Sequence, residues 1–197
     1  MTHTEKLKAM LIENNGVLLT KEASSAGIPN TYLTEFVRQG KLERTDYGVY
    51  VTPDAFEDTM YIIQKRREKI IFSHDTALFL QDLTDRDPLS YSVTVPTGYN
   101  TKSLCENGLK VFSVKKELYE LGVTVAKSPH GREVRTYNME RTICDLARSR
   151  NQMDIGIITE ALKRYVRRKE KNLPLLMQYS ESFLVTKQVR SYMEVLL

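Results

Sequence analysis

Residues Leu18–Asn30, with the sequence LLTKEASSAGIPN, form the most informative segment of this chain. Thr20 can cap a short helix, Gly27 can supply the left-handed turn that ends it, and Asn30 can cap the helix that follows. With a first helix before residue 18, the pattern predicts three helices joined by tight turns. A unit of this kind is a frame that places one helix in a groove of DNA.

The third helix, predicted from about Thr31 to Gln39, has one apolar and one polar side. Leu33, Phe36 and Val37 follow the i, i+3, i+4 spacing of a stripe that faces the core. We therefore take this helix as the candidate recognition helix. Its first turn offers free backbone N–H groups to phosphate and short polar side chains to base edges.

A short β-ribbon is predicted after this helix. The run Lys41–Val51 alternates around a turn that contains Asp46 and Gly48, which is typical of a two-stranded wing. Units of this kind also serve as protein-docking modules, and this alternative stays open. The DNA-contacting residues predicted on the helices and the wing are Thr20, Lys21, Asn30, Thr31, Tyr32, Thr34, Glu35, Arg38, Lys41, Arg44 and Tyr47.

The net charge of this segment does not distinguish DNA binding from protein docking. Residues 1–53 hold six basic and six acidic side chains, so their net charge is zero, and the formal charge of +4 arises beyond residue 53. DNA binding by this segment would need a local basic face, because counterion release depends on where the cations lie.

The composition of the chain is that of an ordinary soluble protein. At 197 residues, with 41% hydrophobic and 27% charged residues, it is long enough for two small domains. The first residues lack an apolar signal region, and no stretch approaches the ~20 apolar residues of a membrane helix, so we expect a cytoplasmic protein. Cys105 and Cys144 have no Cys or His at metal spacing; we expect both to be reduced, Cys144 in a helix core, and no metal or cofactor.

The order of patterns predicts an α+β protein: an N-terminal winged helix-turn-helix followed by a mixed C-terminal domain of helices around a small β-sheet. We expect the DNA-binding domain at residues 1–52, a linking helix at residues 53–72 with Phe56, Met60, Ile63 and Ile70 on its apolar side, and the C-terminal domain at residues 73–197. Alternating residues predict four strands. They are Tyr91–Pro96, Lys110–Val114, Val123–Ala126 and Val134–Tyr137.

Helices are predicted again in the last third of the chain. Asn138 and Asp154 can cap two of them, and two shorter helices are expected at about Leu175–Phe183 and Thr186–Leu196. Arg141 and Asp145 lie four residues apart, within ion-pair reach. The apolar stripe expected on the second of these helices consists of Ile155, Ile158, Leu162, Tyr165 and Val166.

The opposite side of that second helix is strongly basic. It is either a solvated surface with pairs such as Glu160 and Arg164, or a surface that meets a polyanion. We favour a polyanion, because six basic residues face only two acidic ones over residues 157–171. The residues concerned are Lys163, Arg164, Arg167, Arg168 and Lys171.

Several motifs occur in an order that resembles the AbiEi family of antitoxins. After the winged N-terminus come SHDTAL at residues 73–78, VTVP at 93–96, ERTICDL at 140–146, EALK at 160–163 and YMEVL at 192–196. No motif is specific alone. Their order and spacing carry the resemblance, which covers nearly the whole chain.

The resemblance implies the antitoxin of a bacterial abortive-infection, type IV toxin–antitoxin system for phage defence. Such a protein represses its own operon by binding inverted-repeat operator DNA, either as a dimer or cooperatively. Its C-terminal domain offsets a toxin that looks like a nucleotidyltransferase, without a stable complex. On this sequence the DNA-binding role would fall on residues 20–38, with Lys41, Arg44 and Tyr47 on the wing.

The sequence does not favour an enzyme. His74 with Asp75, or His130 with Glu133, could act as acid and base, but neither pair has a nucleophile or metal ligand at a recognisable spacing. We expect His74 to help cap its helix. Two alternatives remain: a stand-alone winged-helix transcriptional regulator whose C-terminal domain senses a ligand or a protein, and a nuclease suggested faintly by the triplet Glu133–Arg135, which we reject provisionally.

Overall fold

The computed structural model describes residues 1–55 and 58–196. The chain divides into two compact units, an N-terminal unit of Met1–Glu68 and a C-terminal unit of Lys69–Leu197. The fold is mixed, with helices and a small sheet in each unit, so the α+β prediction is confirmed. No helix of the described residues is long and apolar enough to cross a membrane.

The N-terminal unit is a winged helix-turn-helix with one extra helix. Its elements are α1 (His3–Glu13), β1 (Val17–Leu19), α2 (Thr20–Ser25), α3 (Asn30–Arg38), β2 (Glu43–Asp46), β3 (Val49–Val51) and α4 (Thr59–Arg66). The antiparallel sheet has the order β1-β3-β2, so the wing has three strands where two were predicted. Strand β1 was missed because three buried apolar residues have no alternation to recognise.

The turns around α2 follow the predicted pattern with shifted caps. Gly27 adopts φ +75°, and the N–H groups of Gly27 and Ile28 bond the carbonyls of Ser24 and Ala23. Thr20 and Asn30 are the first helical residues and not the caps, which are Leu19 and Pro29. The shift at α2 arises because the chain enters the helix directly from the sheet: the N–H of Thr20 still donates to the carbonyl of Gly48 at 2.9 Å.

The linking helix predicted over residues 53–72 is shorter than expected. Helix α4 begins after Asp58, whose carboxylate accepts the N–H of Tyr61 at 3.1 Å, and it ends at Arg66. Residue Phe56 of the prediction lies outside the described residues. The C-terminal end of the predicted helix was wrong, because Ile71 and Phe72 form a strand. This strand pairs with a neighbouring strand on each side.

The C-terminal unit surrounds a five-stranded mixed sheet. Its strands are β4 (Ile71–Phe72), β5 (Ser92–Pro96), β6 (Lys110–Val114), β7 (Val123–Lys127) and β8 (Glu133–Tyr137). The sheet order is β6-β5-β4-β8-β7. The four predicted strands are confirmed, and the missed strand β4 is the central one, antiparallel to β5 and parallel to β8.

Seven α-helices and a short 3-10 helix (Arg150–Gln152) of the described residues complete this unit. The α-helices are α5 (His74–Leu80), α6 (Lys102–Glu106), α7 (Lys116–Tyr119), α8 (Met139–Arg148), α9 (Ile155–Arg167), α10 (Leu173–Ser182) and α11 (Thr186–Leu196). Helix α8 lies in the core, since every residue from Glu140 to Ala147 is buried. The predicted caps are confirmed: Asn138 accepts the N–H of Arg141 at 2.9 Å, and Asp154 accepts that of Gly156 at 2.6 Å.

One residue of the stripe predicted on α9 is not buried. Ile158, Leu162 and Tyr165 lie in the core and Val166 is half-buried, whereas Ile155 is 67% exposed. The first turn of α9 extends beyond the packed core, and Ile157 contacts that core in its place.

Candidate nucleic-acid interface

Helix α3 is fixed by its apolar side, which leaves one polar side outward. Leu33 is fully buried and Phe36 is 4% exposed, in a cluster with residues of α1 and α2. Thr31, Thr34 and Arg38 lie on the opposite side and are exposed. The inward and outward residues of α3 are therefore arranged as an amphipathic recognition helix requires.

Tyr32 lies differently from the other predicted contacts on α3. It is half-buried, and its ring meets the ring of His3 on α1 with centroids 5.1 Å apart. Thr34 stays exposed, although its hydroxyl donates to the carbonyl of Asn30 at 3.2 Å. Tyr32 thus braces α3 against α1, and Thr31 and Thr34 carry the outward surface of its first turns.

A hydrogen-bonded chain runs along the end of α3. The guanidinium of Arg38 donates through Nε and Nη2 to the two carboxylate oxygens of Glu35, each at 2.9 Å. Gln39 donates to Oε1 of the same carboxylate at 2.6 Å, and Lys41 donates to Oε1 of Gln39 at 2.6 Å. The hydrogen bond from Arg38 lowers the pKa of the Glu35 carboxyl. The structure therefore brings Arg38 and Lys41 together at one end of the helix.

The wing presents a second pair of predicted contacts. The guanidinium of Arg44 lies 5.5 Å from the ring centre of Tyr47, and Tyr47 is 81% exposed at the tip. The tip is shaped by Gly48 at φ +71° and by Asp46, which accepts the N–H of Tyr47 at 2.5 Å. That bond lowers the pKa of the Asp46 carboxyl.

Some of the other cations of this unit have acidic partners. Lys21 contacts Glu68 at 2.5 Å, Lys65 contacts Glu22 at 3.0 Å, and Arg66 pairs with Asp46. Most of these side chains are partly exposed, so each pair contributes little to stability. The contact of Lys21 with Glu68 was not visible in the sequence, because the two residues are far apart in the chain.

The basic side of α9 is partly used within the C-terminal unit. Arg164 bonds Asp85 at 2.9 Å and the predicted partner Glu160 at 2.8 Å. Arg168 donates to the carbonyls of Gln81 and Asp82 at 3.1 and 3.0 Å. These hydrogen bonds supply donors to backbone carbonyls at the C-terminal end of α5. Lys171 donates to the carbonyl of Arg168 at 3.3 Å, while Lys163 and Arg167 are exposed.

His74 occupies an unusual position that sequence reasoning missed. It adopts φ +51° as the first residue of α5, is 3% exposed, and stacks on Phe112 with ring centres 3.5 Å apart. Its ring nitrogens lie 3.0 and 3.1 Å from the hydroxyls of Ser73 and Ser149. The expected capping role is therefore wrong, because the ring nitrogens of His74 face two serine hydroxyls and the N-cap position of α5 is Ser73.

A small polar cavity adjoins His74. Its volume is about 30 Å³, and Asp145, Arg148 and Ser149 contribute to its lining. Burial, with a smaller effect of Arg141 and Arg148, lowers the pKa of His74 to about 3. A neutral imidazole with this pKa is a weak general base near neutral pH. Among the described residues, no group of three or more His, Cys, Asp or Glu side chains is placed to hold a metal ion.

Comparison with known proteins identifies the N-terminal segment. Residues 5–53 match the family model described as "Transcriptional regulator, AbiEi antitoxin". This segment is similar to the AbiEi antitoxin regulators. The match runs from α1 to just after β3, so the AbiEi resemblance predicted from the sequence is confirmed over the winged helix-turn-helix.

The AbiEi-type segment belongs to a chain whose fold has a known counterpart. The crystal structure of the RV2827C protein from Mycobacterium tuberculosis matches with a TM-score of 0.55 and 13% identity, over 90% of this chain and 72% of that one. At this identity the likeness concerns the fold alone. The comparison with curated proteins found no match.

Proposed function

We propose that this protein is an antitoxin that represses its own operon by binding inverted-repeat operator DNA. The observation that carries the proposal is the match of residues 5–53 to the AbiEi antitoxin transcriptional regulators. The segment with that match has three helices and a wing, an arrangement that other proteins use to place a helix on DNA, and this supports the proposal.

In this proposal α3 lies in the major groove and the wing contacts the DNA backbone. Thr31, Thr34 and Arg38 face outward on α3 and would meet base edges. Lys41 and Arg44 would contact phosphates, with Tyr47 at the tip of the wing. Because the net charge of residues 1–53 is zero, binding by one protomer would be weak. Two protomers on an inverted repeat would double the contacts.

We propose that the C-terminal unit offsets a nucleotidyltransferase-like toxin without a stable complex. A polyanion is the partner that the basic side of α9 fits best, through the exposed Lys163 and Arg167. Arg164 and Arg168 support the proposal less, because carboxylate and carbonyl groups of the same unit already engage them.

Growth rescue in cells tests the antitoxin role. The neighbouring gene is expressed alone, with the full chain, and with the full chain carrying Lys41→Ala and Arg44→Ala. We expect growth arrest alone and rescue by both forms of the protein, since the wing cations belong to DNA binding and not to neutralisation. A promoter–reporter fusion in the same cells should be repressed by the natural chain and less by the double variant.

The two readouts separate the two parts of the proposal. Repression without rescue would contradict the antitoxin role and favour a stand-alone regulator. Rescue without repression would contradict operator binding.

A further inference from the structure

The position of Arg38 on α3 makes it a candidate for direct base recognition. Thr31, Thr34 and Arg38 follow the i, i+3, i+7 spacing of one helix face, opposite the buried Leu33 and Phe36. The side chain of Arg38 is 78% exposed. It is the only basic side chain on α3, within the described residues and by sequence.

Glu35 holds the guanidinium of Arg38 in one orientation. Nε and Nη2 of Arg38 meet both carboxylate oxygens of Glu35 at 2.9 Å, which is a two-point contact. Gln39 adds a third hydrogen bond to the same carboxylate at 2.6 Å. With two oxygens that accept three donors, this carboxylate is poorly placed to accept a cytosine amino group from DNA as well.

The hydrogen-bond donors that remain on Arg38 match a guanine. A guanidinium has five N–H donors, and Glu35 uses one on Nε and one on Nη2. The donors left over are those of Nη1 and the second one of Nη2, at the far end of the fork. Guanine presents two acceptors, O6 and N7, that pair with such a fork in the major groove. A contact between Arg38 and a phosphate would not require Glu35 to hold the guanidinium in one orientation.

We propose that Arg38 recognises a guanine of the operator and that Glu35 is the positioning residue that holds Arg38 for this contact. The inference rests on the proposed DNA binding by α3. It assigns Glu35 an indirect role, because its oxygens are occupied by Arg38 and Gln39.

Selection from a pool of DNA duplexes with a randomised core tests this proposal with the full-length protein. Bound duplexes are sequenced for the natural chain and for Arg38→Ala, Glu35→Gln and, as a control, Glu13→Gln. Glu13 is an exposed residue of α1, so its variant makes the same charge change away from α3. Circular dichroism checks that all four proteins are folded.

We expect the natural chain and Glu13→Gln to enrich a motif with one guanine per half-site. Arg38→Ala should lose the preference at that position alone, and Glu35→Gln should weaken it. When this G·C pair is replaced in the enriched duplex, affinity should fall roughly 5- to 150-fold for the natural chain. The fall should be smaller for Glu35→Gln, whose affinity for random duplexes should be unchanged or higher.

Three other results have distinct meanings. If Arg38→Ala keeps the motif and binds every duplex less well, Arg38 contacts phosphate and the inference is wrong. If Glu35→Gln prefers a different base, Glu35 itself contacts a base and the positioning role is wrong. If the natural chain enriches no motif, sequence-specific DNA binding fails, and this inference fails with it.

Discussion

At the scale of single residues, Arg141 shows how one buried charge organises the C-terminal unit. Its side chain is fully buried, and it bonds Asp145 at 3.0 Å, as predicted, and the carbonyls of Leu118 and Leu121 at 2.7 and 2.8 Å. Its guanidinium lies about 4 Å from the ring centres of Tyr137 and Phe183. One side chain thus ties α8 to the ends of α7 and α10.

Replacement of Arg141 by Met should destabilise the protein strongly. The variant leaves Asp145 buried without its cation, which typically costs about 3–5 kcal/mol of unfolding free energy. Arg150→Met is the control, since Arg150 is exposed, and we expect a change within about 0.5 kcal/mol. Urea unfolding followed by circular dichroism measures both. Equal losses in the two variants would contradict the role assigned to the buried pair.

His74 predicts a pH dependence of stability with a definite sign. Burial lowers its pKa from 6.5 to about 3, so below about pH 6.5 the unfolded chain binds a proton that the folded chain does not. This contribution to stability is complete above pH 6.5 and is lost as pH falls towards 3, by about 1.4 kcal/mol per pH unit.

A variant of His74 isolates this effect. His74→Asn suits the left-handed backbone at φ +51° and removes the titrating group. Between pH 6.5 and 5 its unfolding free energy should vary less than that of the natural chain. If His74→Asn keeps the slope of the natural chain, the dependence belongs to other groups.

At the scale of elements, the local patterns predicted most helices and strands but missed two of the three shortest strands, β1 and β4. Alternation over five residues was enough to predict β5 and β6, whereas β1 and β4 have three and two residues that are all buried. Such segments are strands because neighbouring strands pair with them, β1 with β3 and β4 with β5 and β8. The pairing of β4 also explains why Ile71 and Phe72 are not part of the predicted linking helix.

The wing provides an element-scale prediction about DNA. Lys41→Ala and Arg44→Ala should weaken binding to all duplexes about equally, each reducing the slope of log affinity against log salt by about 1. Thr34→Ala should instead relax the sequence preference, because Thr34 is outward on α3. Binding titrations at several salt concentrations measure both effects. The opposite pattern would contradict the proposed placement of α3 and the wing.

At the scale of the whole molecule, two units carry two separable surfaces. The wing and α3 belong to the N-terminal unit, and the basic side of α9 belongs to the C-terminal unit. Fewer residues of that basic side are available to a polyanion than predicted, because Arg164 and Arg168 have partners on the segment after α5. Lys163 and Arg167 are exposed, so substitution of these two residues is the best test of a polyanion contact.

Reversal of these two charges should impair the function of the C-terminal unit. We expect Lys163→Glu with Arg167→Glu to lower toxin rescue or operator affinity, because each change adds repulsion toward a polyanion. The control is Lys187→Glu with Arg190→Glu, which reverses two exposed charges on α11. Growth rescue and DNA titration measure the outcome. If the two double variants behave alike, the basic side of α9 is a solvated surface.

The sequence by itself determined the features that depend on neighbours along the chain. These are the left-handed turn at Gly27, the caps Asn138 and Asp154, the ion pair four residues apart in α8, and the AbiEi-type segment. Each needs only a local spacing, which the residue order displays.

Only the tertiary structure decided which charged and polar groups have partners far away in the sequence. Arg164 meets Asp85, His74 meets Ser149, and Tyr32 meets His3, all across long separations in sequence. Such contacts depend on the packing of whole elements, so no local spacing reveals them. For this reason the sequence identified the surfaces of α3 and α9, whereas the folded chain showed which of their residues remain exposed.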